Sequence, residues 1–559
     1  MKGKADGIIT NVRVGATPGE GRSRGSEPQA LAVAEGRVLA VGGEADVDTL
    51  RGRDTWVLDA AGGHLLPGFV DAHVHLLYGG ELLSSLDLRH VNRHEEFVGA
   101  LERFVQDLSP GEWVVGGNWE HERWGGDLPQ RGWVDPVSSE NPLILARTDM
   151  HVAVANSLAL ERAGIDADTP DPPGGEIDRH PESGEPTGIL RERAIEMVRE
   201  VVPPPSPERR RRAIRAAQEH AFRNGVTQAH DMGVMGRDEE TWETLAALRD
   251  AANEGWLRLR VRCFMPVATR RQVHELVRDE GPGDGQLRWD GVKAFVDGSL
   301  GAATAWFHEP YTDHPERTGG PISDLAELRH ALLEADRWEL QCAVHAIGDR
   351  AVDWTLDVRD EMVERHGSRD RRFRVEHAQH LAPAAAARFG GGEETFASVQ
   401  PYHLVEDGRW AERRLGPERA RRAFAFRSLL ESGASLALGS DWTVAPLSPL
   451  QSLAAATGRR TLDDEHPEGW IPEERLAWND ALQTQTVLAA RAGFMETAPG
   501  GLSPGAPADA VVVSGSLPDA NIDPESPARV DLTMVEGEVV YAREDALRER
   551  HRAPAPAGF

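Results

Sequence analysis

Residues 65–76 read LLPGFVDAHVHL, an apolar run that ends in His73, Val74 and His75. Because side chains alternate between the two faces of a β-strand, both imidazoles are expected on one face. Seven more apolar, strand-like runs follow, and helical patterns separate them. Their sequences are GVTQAHDMG (225–233), RLRVRCFMP (258–266), GVKAFVDG (291–298), QCAVHAIGD (341–349), FRVEHAQH (373–380), TFASVQP (395–401) and SLALGSD (435–441). Eight strands alternating with helices predict an α/β fold, a (β/α)8 TIM barrel.

One interval between these runs is too long for a single helix. Residues 76–224 contain further strand-like stretches and then a segment rich in proline and glycine. We therefore predict a large insertion after strand 1, at about residues 80–215. We expect it to shape the pocket, because loops that follow barrel strands lie on the catalytic face.

Short strand patterns at the two chain ends predict one small β-sandwich built from both ends. The predicted boundaries are 1–66 for the N-terminal part of the sandwich, 67–480 for the barrel with its insertion, 481–545 for a helix and the C-terminal part of the sandwich, and 546–559 for a tail.

Composition excludes several classes of protein. The net charge of −29 disfavours a nucleic-acid partner, because binding phosphates requires basic surfaces. The chain has no apolar run of the roughly 18 residues that a transmembrane helix needs, so no membrane partner is expected. The N-terminus lacks the apolar core of a secretory signal, and two cysteines make no disulfide framework. We therefore predict a cytoplasmic protein.

Metal-binding side chains stand at the ends of the predicted strands, where barrel enzymes carry their active sites. They are His73 and His75 on the first strand, Lys293 on the fourth, His345 on the fifth, His377 on the sixth and Asp441 after the eighth. Imidazole and carboxylate together favour zinc or another borderline divalent cation.

Lys293 is the one lysine away from the N-terminus. The others are Lys2 and Lys4, although the chain has 62 basic residues. An ammonium group would be repelled by metal cations. A neutral, buried amine can instead add CO2 to become a carbamate, whose two oxygens can bridge two metal ions. A guanidinium cannot do this, which would explain why a lysine is retained here.

Each of these signals also has a simpler interpretation. Glu376 and His377 could form an ion pair in the core, and Asp441 could cap the N-terminus of a helix. Lys293 could pair with Asp297. The metal-site hypothesis depends on the whole set, because the candidates recur at successive strand ends.

The strand-end motifs resemble the amidohydrolase superfamily of metal-dependent hydrolases in type and order. The motifs are LLPGFVDAHVHL, the VKAF lysine, VHAIGD, VEHAQ and LGSD. The stretches GGNWE, DMHVAVANS, VKAFVDGSLGAATA and SVQPYH are similar to the branch typified by N-substituted formamide deformylase. That branch also has the long insertion after the first barrel strand.

This resemblance implies a centre of two divalent metal ions, with zinc as the first candidate. His73, His75 and Asp441 would bind the more buried ion. His345 and His377 would bind the more exposed ion, and a carbamylated Lys293, formed with CO2, would bridge the two.

The implied activity is hydrolysis of a carbon–nitrogen bond other than a peptide bond, in a small-molecule substrate of amide type. A hydroxide that bridges the metals would attack the carbonyl, and Asp441 would act first as general base and then as general acid. Candidate substrate contacts are Trp119, Glu120, His151, Asn156, His230, Gln400 and His403.

Two other functions remain open. One is a deaminase that uses a single metal ion to release ammonia from a ring amine. The other is a non-catalytic, amidohydrolase-like protein used for assembly, although such relatives have lost metal ligands that this chain retains. The substrate, the identity and number of the metals, and the choice between monomer and homodimer are left open by the sequence.

Overall fold

A parallel, eight-stranded sheet forms the centre of the larger of two compact units, which comprises residues 1–77 and 217–559. The computed structural model describes residues 3–15, 29–88, 91–119, 121–124, 126–147, 152–173, 175–234, 236–301, 303–391, 394–496, 501–517, 527–544 and 548–551. We number the strands of this sheet β1 (Phe69–Val74), β2 (Val226–Asp231), β3 (Arg260–Pro266), β4 (Leu287–Phe295), β5 (Gln341–Ala346), β6 (Phe373–His377), β7 (Thr395–Val399) and β8 (Ser435–Leu438). Each strand pairs with the next in the chain, so spatial order follows sequence order.

The first and last strands approach each other and nearly close the sheet. The N–H of Asp441 donates to the carbonyl of His73 at 2.7 Å, and the N–H of His75 donates to the carbonyl of Trp442 at 2.8 Å. Gly439 lies at this seam, where a Cβ atom would come within 2.6 Å of the His73 nitrogen. Only glycine permits so close an approach. The predicted TIM barrel is confirmed.

Helices connect the barrel strands. They are Asp238–Asn253, Arg270–Glu280, Leu325–Arg337, Asp349–His366, Ala385–Phe389, Pro401–Asp407, Ala411–Leu415, Pro417–Ala420 and Phe426–Glu431, followed after β8 by Pro449–Gly458, Trp478–Thr484 and Val487–Ala492. Leu325–Arg337 shows how the sequence specifies them. Asp324 caps its first turn by accepting from the N–H groups of Ala326 and Glu327 at 2.9 and 3.0 Å.

Strands from the two chain ends combine into one sheet. The N-terminal strands are Ala5–Val14, Gln29–Ala34, Arg37–Gly43, Arg51–Asp59 and His64–Pro67, with the short helix Glu44–Asp48. The C-terminal strands are Ala510–Ser514, Arg529–Val535, Glu538–Ala542 and Arg548–His551. The antiparallel pair His64–Pro67 and Ala510–Ser514 joins the two sets, and Leu65, Val512 and Leu532 are buried in their shared core. The predicted β-domain from both ends is confirmed.

The second compact unit, residues 78–216, falls between β1 and β2 in the chain. Its six-stranded sheet contains Leu86–Asp87, Val114–Trp119, Leu143–Arg147, Val152–Ala155, Gly175–Arg179 and Pro186–Glu192. Its helices include His94–Gln106, Arg131–Val134, Ser157–Arg162 and Arg193–Arg199, while Leu76–Ser84 and Pro207–Arg223 occur where the chain enters and leaves it. The predicted insertion is therefore present, and the detailed domain boundaries stay a prediction.

In the part of the chain that the structure describes, no helix combines the length and the apolar character needed to cross a bilayer.

Candidate metal centre

Side chains from three strand ends converge at the carboxyl end of the barrel. His73 from β1, His377 from β6 and Asp441 after β8 are buried, and each offers a ligand atom within 4.8 Å of the others. The His345 ring lies 4.4 Å from the His377 ring, and the His75 ring lies 5.7 Å from the His73 ring, measured between centroids. Barrel closure thus brings together groups that are far apart in sequence.

The two histidines at the end of β1, His73 within the strand and His75 directly after it, are called the β1 histidines, and each has one ring nitrogen bound to an oxygen acceptor. His73 donates through Nδ1 to Glu376 Oε2 at 2.7 Å, and His75 donates through Nδ1 to the carbonyl of Gly233 at 2.8 Å. A neutral imidazole that donates from Nδ1 has its lone pair on Nε2. Both Nε2 atoms face Asp441 Oδ1, at 3.4 Å from His73 and 3.3 Å from His75.

The histidines of β5 and β6 show the same pattern. His345 donates through Nε2 to the carbonyl of Gly298 at 3.1 Å, which leaves its Nδ1 lone pair for a ligand. His377 donates through Nδ1 to Gln400 Oε1 at 2.7 Å, which leaves Nε2. The Gln400 amide is oriented by its own donation to the Ser398 carbonyl at 3.1 Å. Such outer hydrogen bonds are how metal-binding histidines are held in one tautomer.

Burial keeps three of these imidazoles neutral. It lowers the pKa of His73 to about 4 and that of His345 to about 3, with Lys293 adding to both effects. It also holds the pKa of His377 well below its usual value, with His345 as the second cause. Neutral imidazole is the form that binds a metal cation.

Asp441 is the anion of the centre. Burial opposes its ionisation, but His73, the hydrogen bond from His75, and His377 together hold the pKa of Asp441 well below its usual value. Its backbone adopts a left-handed conformation with φ of 59°, and His377 does so with φ of 72°. Such conformations cost energy in residues other than glycine and cluster at functional sites.

Lys293 lies on β4 with only 3% of its surface exposed. Its Nζ has no hydrogen-bond partner among the described residues and lies 5.0 Å from the centroid of the Phe295 ring. Burial lowers the pKa of Lys293 to about 8, against the opposing charges of Glu376 and Asp441. A buried amine without a partner is costly, and its conversion to a metal-bound anion would remove that cost. The donor set therefore fits divalent cations such as zinc.

Two of the simpler alternatives do not match the contacts in the structure. Glu376 pairs with His73 and Arg374 rather than with His377. Asp297 accepts from the N–H groups of Trp306, Ile347 and Gly348 at 2.8 to 3.0 Å. It therefore joins the loop after β4 to the end of β5 instead of pairing with Lys293.

The third alternative is that Asp441 caps the N-terminus of a helix. The helix that follows it begins at Pro449, and the N-cap position there is Ser448. Asp441 instead contacts the β1 histidines through its side chain.

Among the predicted substrate contacts that the structure describes, His403 lies beside Asp441 and His377. Its Nε2 lies 3.7 Å from Asp441 Oδ2, and its ring stacks on that of His377 at 6.1 Å between centroids and 17° between planes. This nitrogen has no hydrogen-bond partner within the described segments, and burial lowers the pKa of His403. His403 is therefore a neutral imidazole beside the candidate metal ligands Asp441 and His377.

The other candidates lie in supporting positions. Gln400 holds His377, as described above. His230 is fully buried and bound by Arg374 Nη1 at 2.8 Å. Trp119 is fully buried in the second unit, where its Nε1 donates to the Leu145 carbonyl at 2.8 Å. Asn156 caps the helix Ser157–Arg162 by accepting from the Ala159 N–H at 2.9 Å.

Glu120 and His151 lie outside the described residues. The roles of all these candidates stay predictions.

No sequence motif indicates that Glu376 and Arg374 support His73. Their spacing of two along β6 places both side chains on one face, but that face can be assigned only once the barrel is closed. The left-handed backbone of His377 then breaks the alternation, so that Glu376 and His377 both serve the centre although they are adjacent.

Comparisons with known proteins agree with this geometry. A model described as "Amidohydrolase family" matches residues 57–541. The chain is 41% identical over 517 residues to Protein LONG AFTER FAR-RED 3 of Arabidopsis thaliana, covering 91% of this chain and 88% of that protein. It is 28% identical over 555 residues to N-substituted formamide deformylase of Arthrobacter pascens, covering 93% and 96%.

A solved structure extends the likeness to three dimensions. An uncharacterized metal-dependent hydrolase from Pyrococcus furiosus matches with a TM-score of 0.70 and 29% identity, covering 90% of this chain and 98% of the other. The resemblance inferred from the strand-end motifs is confirmed. The chain belongs to the amidohydrolase family.

Proposed function

We propose that this protein hydrolyses a carbon–nitrogen bond, other than a peptide bond, in a small molecule of amide type, and that it uses two divalent metal ions. One observation carries the proposal: the four clustered histidines each donate from one ring nitrogen to a fixed oxygen acceptor. In His73, His345 and His377, which burial keeps neutral, the other ring nitrogen has a lone pair for a metal ion. Burial opposes protonation of His75, but its hydrogen bond to Asp441 raises the pKa of His75, so this imidazole would bind a metal ion after losing that proton.

The proposed ligand assignment follows the positions of these groups. His73, His75 and Asp441 would hold one ion, and His345 and His377 would hold the other. Lys293, as a carbamate formed with CO2, would bridge them, and zinc is the expected metal. Bound cations of this kind supply an activated water near neutral pH and polarise a substrate carbonyl.

Two side chains would handle the reacting groups. Asp441, which is ionised and faces both β1 imidazoles, would accept the proton of the attacking water and pass it to the leaving amine. His403 would donate from Nε2 to the oxygen of the substrate carbonyl as negative charge develops there. The products would be a carboxylic acid and an amine.

The proposed substrate class rests on the similarity to N-substituted formamide deformylase and on the candidate metal ligands with Asp441 as the base. N-formyl and other N-substituted amides are therefore the first compounds to test. That residues of the insertion take part in substrate selection stays a prediction from the sequence, in which the insertion follows the first barrel strand. A cytoplasmic location and a homodimer stay predictions.

A deaminase with one metal ion is the second candidate. The compact group of His73, His377 and Asp441 favours it, because three ligand atoms within 4.8 Å of one another suffice for a single catalytic ion.

Metal analysis and product analysis separate these functions. We would measure metal content per chain for the wild type, for Lys293→Ala, and for Lys4→Ala, whose exposed amine donates to the Thr49 carbonyl far from the centre in sequence. The same samples would be assayed with N-formyl compounds, N-acyl amino acids, cyclic amides, carbamates and ring amines.

Two ions per chain in the wild type and in Lys4→Ala, their loss in Lys293→Ala, and release of an acid with an amine would support the proposal. One ion that survives Lys293→Ala, with release of ammonia, would establish the deaminase instead. A protein that folds, binds no metal and hydrolyses none of the compounds would overturn both.

A further inference from the structure

A buried chain of charged and polar side chains extends from His73 into the interior of the barrel. Arg374 and Glu376, both on β6, are fully buried, and His73 is 1% exposed. Arg374 Nε donates to Glu376 Oε1 at 2.7 Å, and Glu376 Oε2 accepts from His73 Nδ1 at 2.7 Å. One carboxylate thus connects a guanidinium to the ring of a proposed metal ligand.

Arg374 also contacts the backbone next to that ligand. Its Nη2 donates to the Ala72 carbonyl at 2.6 Å, to Ser398 Oγ at 3.0 Å and to Glu376 Oε2 at 3.2 Å. The carbonyl of Ala72 directly precedes His73 in the chain. His73 is therefore held at two points, its ring by Glu376 and its backbone by Arg374.

His230 completes the chain on the far side of Arg374. Arg374 Nη1 lies 2.8 Å from His230 Nδ1 and can only donate, so Nδ1 must accept and His230 must carry its proton on Nε2. The structure places Gln228 Nε2 3.0 Å from that Nε2; because two N–H donors cannot bond each other, the Gln228 amide must be turned so that its oxygen accepts. A Cβ atom at Gly493 would lie 2.5 Å from the same nitrogen, so Gly493 packs directly against this ring.

We propose that Glu376 and Arg374 are positioning residues that fix the tautomer and the direction of His73 for metal binding. This inference rests on the proposed function, because it requires a metal at the centre. Both residues act through His73, and neither is assigned a contact with the substrate.

Energetics favour this role over a purely structural one. The buried charges of Arg374 and Glu376 carry a large desolvation cost, and well-packed apolar residues of similar volume often stabilise a fold as well or better. A buried carboxylate aimed at the Nδ1 of a ligand does what an apolar residue cannot, since it sets which nitrogen carries the proton.

The decisive variant is Glu376→Gln. A carboxylate accepts from Arg374 and His73 at once, whereas an amide has one acceptor oxygen and its NH2 group would oppose one of the two donors. We expect the affinity for Zn2+, measured by competition with a chromophoric chelator, to fall by about 10- to 100-fold. We also expect the visible absorption of the Co2+-loaded protein to shift, because the ligand field at His73 changes.

Asp290→Asn is the matched control. It also replaces a carboxylate that pairs with a fully buried barrel arginine, Arg262, but no bond connects that pair to His73 in the described structure. We expect this variant to lose thermal stability and to keep wild-type affinity and wild-type cobalt absorption. If Glu376→Gln does not fold, Glu376→Asp keeps the charge, shortens the side chain and is measured in its place.

If the Glu376 variant has the metal affinity and the cobalt absorption of the wild type, the inference is overturned and the proposed function stays intact. An equal loss of affinity in Asp290→Asn would also overturn it, because the effect would then be general destabilisation. A wild type that binds no metal would overturn the proposed function together with the inference.

Discussion

The backbone N–H of Asp441 donates to the carbonyl of His73 at 2.7 Å, and the Asp441 side chain lies 3.4 Å from the Nε2 of the same residue. The bond that helps to close the barrel therefore also sets the distance between the proposed base and a proposed metal ligand. The same contact therefore contributes both to closure of the sheet and to the geometry of the centre.

Replacing Asp441 should remove the proton acceptor. Asn is the suitable substitute, because asparagine tolerates the left-handed backbone with φ of 59° found there. We expect Asp441→Asn to lower kcat by about 10²- to 10⁴-fold when assayed at saturating Zn2+. Circular dichroism would show that the fold is kept, and activity within threefold of wild type would refute the role.

Lys293→Ala should lower kcat/KM by more than about 100-fold, which corresponds to about 2.7 kcal/mol of transition-state stabilisation. Addition of a short carboxylic acid should restore part of the activity, because its two oxygens can replace those of the carbamate. Lys293→Arg should be inactive and should not respond to the acid. An active Lys293→Arg variant would rule out the carbamate.

His403→Gln tests the donor to the substrate carbonyl. We expect kcat/KM to fall by about 10²-fold while metal content stays at the wild-type level, because His403 is assigned to the substrate and not to the metal. Steady-state kinetics and metal analysis on the same preparation provide the test. Loss of metal in parallel with loss of activity would instead make His403 a ligand.

Gln485 should stabilise the barrel seam. Its Nε2 donates to the Val70 carbonyl at 2.8 Å and lies 3.4 Å from the Leu438 carbonyl, so it connects β1 to β8. Gln485→Leu leaves both buried carbonyls without this donor and should lower the free energy of unfolding by about 1–3 kcal/mol. Urea denaturation measures the change. The control is the exposed Gln272→Leu, which should stay within about 0.5 kcal/mol.

Asp336 should make part of the stability depend on acid pH. Burial opposes its ionisation, but hydrogen bonds from Arg371 Nε at 2.8 Å and His366 Nδ1 at 2.7 Å hold the pKa of Asp336 below its usual value. Because the native pKa is lowered, its contribution to stability is present above the unfolded pKa of about 4 and is lost as the pH falls through the native pKa.

Asp336→Asn should therefore be less stable than wild type by about 3–5 kcal/mol at pH 7, and the difference should narrow below about pH 4. Thermal denaturation across pH measures it. The control is the exposed Asp357→Asn, which should change the stability at pH 7 by no more than about 0.5 kcal/mol. A difference between Asp336→Asn and wild type that stays constant at all pH values would exclude Asp336 as the source.

Much of this protein could be predicted from the sequence. Each barrel strand could be predicted from a short, mainly apolar run of residues. The candidate metal ligands His73, Lys293 and Asp441 could be predicted because they stand at the ends of such runs. Periodicity and motif order are local properties, so they need no knowledge of which strands meet.

Only the tertiary structure decided which hydrogen-bond partners the side chains of the centre have. The acceptor for His73 is 303 residues away at Glu376, and His377 turns toward the centre because its backbone is left-handed. Hydrogen-bond partners and backbone strain depend on how the closed barrel brings distant strands together. That arrangement is a balance of packing and burial over the whole chain, and no local pattern encodes it.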